Sequence, residues 1–85
     1  MRSFTYTITD SVGIHARPAG MLAKAAKEYN SEIIIKKGEK SVNVTKVIAV
    51  MGMGIKCGDS ITVSIEGDDE DIAYNAIEKF FEENL

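Results

Sequence analysis

Apolar side chains recur along this chain at two different spacings, and the order in which the spacings follow one another leaves few folds open. Phe4, Tyr6 and Ile8 alternate with Ser3, Thr5 and Thr7, as in a strand with one buried and one wet face, which predicts a first strand ending near Thr9. After the turn-like Asp10-Ser11-Val12-Gly13, residues Ala16 to Tyr29 switch to helical spacing, with Ala19, Leu22, Ala23 and Ala26 on one side. Glu32 to Lys37 and Ser41 to Val44 read as two strands joined by a hairpin turn at Gly38-Glu39. Lys46 to Met53 fits either a strand or a short helix ending in a glycine cap. Ser60 to Glu66 turns Ile61, Val63 and Ile65 inward as a fourth strand. Asp68-Asp69 then offers carboxylates for a last helix start, followed by Ile72, Ala73, Ala76, Ile77 and Phe80 at helical spacing.

The order βαββ(α)βα is neither that of a doubly wound parallel sheet nor that of an all-β barrel. It predicts an α+β two-layer sandwich on an antiparallel sheet. A crossover through the first helix makes strands one and two run the same way, and the gap between them takes strand four, giving the order 1-4-2-3. Eighty-five residues suffice for one core, so residues 1–85 are read as a single domain.

Ten Lys+Arg against thirteen Asp+Glu give a net charge of −3, which argues against nucleic acid as a partner and requires any basic site to be local. No apolar run approaches the roughly 18 residues of a membrane span, and the N-terminus lacks the apolar stretch of a signal peptide. The reading is therefore a cytoplasmic monomer without membrane insertion. One cysteine, Cys57, excludes an internal disulfide and multi-cysteine zinc motifs, and the acidic runs Asp68 to Asp71 and Glu78 to Glu83 read as a helix start and a solvated face. No metal and no cofactor are expected.

Chemistry concentrates in Gly13-Ile14-His15-Ala16-Arg17-Pro18-Ala19, where the only histidine and the only proline lie three apart. Proline is tolerated in a first helical turn, so Pro18 sets the helix origin near Ala16 and puts His15 at or beside the N-cap. The free N–H groups of Ala16 and Arg17, the helix dipole and the Arg17 guanidinium together suit a phosphate, and a neutral imidazole is able to attack phosphorus. The plainer alternative is a histidine that only caps the helix.

That motif, together with Asn43, Val50-Met51-Gly52-Met53-Gly54-Ile55 and the Gly58-Asp59 turn, resembles HPr, the histidine-containing phosphocarrier family of the bacterial phosphoenolpyruvate:sugar phosphotransferase system. The resemblance spans essentially the whole chain. It implies an open-faced sandwich of four antiparallel strands covered on one face by three helices, and so a short helix at Lys46 to Met53. It further implies that His15 accepts a phosphoryl group from phosphorylated enzyme I and passes it to enzyme IIA domains, with Arg17 stabilising the phosphate and Ala16, Arg17 and Pro18 forming its binding site. Lys46 stands where the family usually carries a regulatory serine, and Thr45, rotated by roughly 100° on a helix, is read as an N-cap and not as its substitute.

Gly20, Lys24, Lys27, Lys46, Val47, Ile48 and Met51 form the expected partner-binding surface, an apolar patch with a basic rim. One or two of Val47, Ile48 and Met51 are expected to be core, with Val47 and the lysines the better candidates for contact. Two other functions fit the same residues: the same chemistry in a regulatory or dihydroxyacetone-linked phosphorelay, and a non-catalytic binding module for regulatory proteins.

Overall fold

The computed structural model describes residues Met1–Leu85. Its elements are β1 (Arg2–Thr7), α1 (Ala16–Ala26), β2 (Ser31–Lys37), β3 (Lys40–Asn43), α2 (Val47–Gly52), β4 (Ser60–Gly67) and α3 (Glu70–Asn84). The sheet order is β1-β4-β2-β3 with every neighbouring pair antiparallel. Segment 46–53, ambiguous by periodicity, is the short helix α2, closed by Gly54 at φ 66°.

The pleat sorts the strands by face. Phe4, Ile33, Ile35, Ile61, Val63 and Ile65 point into the core, and the register sets Phe4 opposite Val63 and Val63 opposite Ile35. Across β1 and β4 the other face is a row of hydroxyls in which Thr7 meets Ser60 at 3.1 Å. Leu22, Ala26, Val50, Ala73, Ile77 and Phe81 bring the three helices onto the apolar face. No helix is long and apolar enough to cross a membrane.

Several boundaries and faces differ from those read in the sequence. Helix α1 stops at Ala26, because Glu28 and Tyr29 donate three residues back, to Ala25 and Ala26, which tightens the last turn. On α3 the inward face is Ala73, Ile77 and Phe81, while Ile72 is 66% exposed and Phe80 only half-buried. Consecutive phenylalanines allow either phase, and packing on Phe4 and Tyr6 selects Phe81. Thr45 is not a helix cap: Lys46 holds that position without a side-chain bond, and the Thr45 hydroxyl and N–H both donate to Asn43 Oδ1, at 2.8 and 2.9 Å.

Asp69 does occupy the cap position of α3, but its carboxylate is spent elsewhere. Ser31 Oγ donates to Oδ1 and Asn30 N–H to Oδ2 at 2.8 Å, tying α3 to the start of β2. The Ser31 hydroxyl first, and then the Asn30 amide, hold the Asp69 carboxyl below its ordinary range. A depressed folded-state pKa contributes stability above the unfolded value, lost as pH falls through the folded one. The gap in unfolding free energy between wild type and Asp69→Ala is thus expected to be widest near neutrality and to narrow below the ordinary aspartate value of about 3.9. Denaturant titrations across pH check this.

Candidate functional site

The chain enters α1 through a constrained turn. Gly13 adopts φ 79°, and a Cβ there would lie 2.3 Å from Ile55 O, so the position requires glycine on both conformational and steric grounds. Ile14 is buried and donates its N–H to Ile55 O at 3.0 Å. His15 follows at the N-cap with extended backbone, φ −110° and ψ −170°, and its carbonyl accepts the first helical bond, from Ala19 N–H at 3.0 Å.

The His15 side chain makes no capping hydrogen bond and is exposed. The plainer alternative, a histidine that caps by its side chain, is therefore not what is seen. Ahead of Ala19, Pro18 has no N–H, and those of Ala16 and Arg17 lie in the first turn with no intrahelical acceptor. That turn carries no acidic residue. His15, Arg17 and Pro18 line one depression of about 220 Å³ with Asp10, Met21 and Asn84. Pro18, buried and without a donor, contributes shape to this depression, whereas Ala16, in the same turn, is not among its lining residues.

Asp10, Met21 and Asn84 escaped the sequence reading. Met21 lies one turn beyond Arg17 and Pro18 and was findable by helical spacing, but Asn84 arrives from the far end of the chain and had no signal. Asn84 Nδ2 donates to Phe80 O at 3.0 Å, and Asp10 Oδ1 accepts from Val12 N–H at 2.8 Å. The Leu85 oxygen accepts from the N–H groups of Thr9 and Asp10 and from Thr9 Oγ1, which fastens the end of α3 beside the depression.

Among the expected partner-contact residues, Lys24, Lys27 and Lys46 are exposed and Gly20 is half-buried. Helices α1 and α2 pack against each other. The apolar ranking differs from expectation, since Ile48 is 80% exposed and Met51 39%, whereas Val47 is half-buried against the core. The helix directs Val47 and Val50 toward the sheet and leaves Ile48, a turn's fraction away, facing outward.

A small antiparallel sandwich with an exposed imidazole at a helix start that keeps its first N–H groups free is the arrangement of a histidine phosphocarrier. The family model described as the PTS HPr component phosphorylation site matches residues 2–83. The phosphocarrier protein HPr of Mycoplasma capricolum subsp. capricolum is 46% identical over 79 residues, which are 93% of this chain and 89% of that one. A solved Mycoplasma histidine-containing phosphocarrier protein superposes with a TM-score of 0.89 at 44% identity, covering 93% of this chain and 90% of that chain. An HPr dimer from Thermoanaerobacter tengcongensis gives a TM-score of 0.76 at 34% identity, with 98% and 95% coverage. The chain belongs to the HPr family, the phosphocarriers of the bacterial phosphotransferase system.

Proposed function

We propose that residues 1–85 act as one cytoplasmic carrier unit in which His15 takes a phosphoryl group from phosphorylated enzyme I and delivers it to enzyme IIA domains. The observation that carries this reading is the exposed, unbonded imidazole at the N-cap of α1, sharing a depression with Arg17. A ring nitrogen lone pair of the neutral imidazole attacks phosphorus, the bond to the donor breaks, and its electron pair leaves with the donor. The transferred group then meets the Ala16 and Arg17 N–H groups and the guanidinium, which stabilise its charge without desolvating it completely. Delivery is the same step in reverse onto another acceptor.

Docking is assigned to the exposed part of α2, with Ile48 and Met51 at its centre and Lys24, Lys27 and Lys46 at its rim. In reconstituted transfer from enzyme I to an enzyme IIA domain, Ile48→Asp is expected to raise KM by about tenfold or more, as loss of a central apolar anchor does. Its melting temperature should stay at the wild-type value, because the side chain contacts little of the core. An unchanged KM, or a loss of melting temperature in step with the loss of transfer, would put the docking surface elsewhere.

A further inference from the structure

The turn that delivers His15 does not stand alone. Gly13 lies against the backbone of Ile55 and Lys56, and Ile14 N–H is bonded to Ile55 O, so residues 54–59 form the shelf on which the approach to the histidine rests. This shelf reverses direction through two positive-φ glycines, Gly54 at 66° and Gly58 at 90°. Such a loop needs ties from outside it to hold one shape. Ile8 supplies two, accepting from Gly58 N–H at 2.8 Å and donating to Asp59 O at 2.9 Å. Lys37, the last residue of β2, supplies two more: its Nζ donates to Gly54 O at 3.1 Å and pairs with Asp59 Oδ2 at 2.7 Å.

One ammonium thus joins the two ends of the shelf. Asp59 Oδ2 also accepts from Lys56 N–H at 2.8 Å, so the carboxylate braces the loop from inside while the lysine braces it from the sheet. Both side chains are about one-third exposed, at 33% and 31%. The Asp59 carboxyl is held below its ordinary range by Lys37 first and by the Lys56 amide second, both acting on Oδ2.

We infer that Lys37 and Asp59 are positioning residues for His15, fixing the 54–59 shelf so that Gly13 and Ile14 present the imidazole in its transfer-ready place. This rests on His15 being the phosphoryl acceptor, while the link from Lys37 to Ile14 is measurable without any transfer. Neither residue touches the depression that holds His15, so the effect runs through the backbone.

The test compares wild type with Lys37→Met, which keeps the apolar stem and loses the charge, and with Lys37→Arg, which keeps both donor and charge. Amide exchange of Ile14 is expected to quicken on the order of tenfold in Lys37→Met while the β4 strand amides hold their rates, as local opening of one tie produces. The turnover rate for phosphorylation by enzyme I should fall several-fold at unchanged KM, and Lys37→Arg should recover both. Ile14 exchange that rises only in proportion to the β4 amides would reduce the pair to ordinary stabilisation and overturn the inference. So would local quickening at Ile14 with an unaltered turnover rate. Absence of phosphorylation in the wild type itself would instead refute the carrier reading, with the exchange comparison still deciding whether Lys37 holds the turn.

Discussion

Replacing His15 by alanine is expected to abolish phosphoryl acceptance from enzyme I while leaving the fold as stable as before. In the proposed transfer the imidazole is the nucleophile, and without it no phosphorus–nitrogen bond forms, so the expected loss is complete and not graded. Stability should stay within about 0.5 kcal/mol, because the side chain is exposed and makes no capping bond. A helix start normally gains from a side chain that caps it, and His15 forgoes that gain. His15→Ser is accordingly expected to stabilise the protein by about 0.5–1 kcal/mol, as a serine N-cap does, while being equally dead as an acceptor. Thermal unfolding beside the transfer assay checks both. A destabilised His15→Ala would restore the reading of His15 as a structural cap.

Phe81→Ala is expected to cost about 3–5 kcal/mol, a large part of the roughly 5–15 kcal/mol that holds a small domain folded. Phe81 is fully buried and meets Phe4 and Tyr6 edge-on at 5.6 Å and Phe80 at 6.2 Å. Its removal leaves a cavity lined by β1 and α3 that rigid strands cannot close. Phe80→Ala, from a half-buried neighbour, should cost less than half as much. Urea midpoints of the two variants decide which phenylalanine anchors α3, and equal midpoints would contradict the packing described above.

That pair shows where sequence reading reaches its limit. Two spacings of apolar residues suffice for every element but the short helix at 46–53 and, with a crossover that makes strands one and two run the same way, for the strand order 1-4-2-3. They do not set the phase of a helix when two aromatics are adjacent, since only contact with Phe4 and Tyr6 separates Phe80 from Phe81. The lone histidine and proline three apart place His15 at the start of α1, as the structure has it, because proline restricts where a helix begins. On α2 the sequence ranks Val47 ahead of Ile48 and Met51 among the expected contact residues, but a six-residue helix carries too little periodicity to tell Val47 from Ile48. Asp69 illustrates a different limit. Its place before a helix suggested a cap, yet its partners are Asn30 and Ser31, nearly forty residues back along the chain, and no local pattern announces such a pairing. The same holds for Asn84 beside His15 and for Lys37 with Asp59.

The central claim is that the start of α1 holds a phosphoryl group on His15. Backbone amide resonances recorded before and after phosphorylation by enzyme I and phosphoenolpyruvate test it most directly. The amides of Ala16 and Arg17 are predicted to show the largest changes, as new donors to the phosphoryl oxygens, with β2 and β3 unmoved. Phosphorylation that leaves those two amides in place, or that moves chiefly the amides around Ser41 and Thr45, would contradict it.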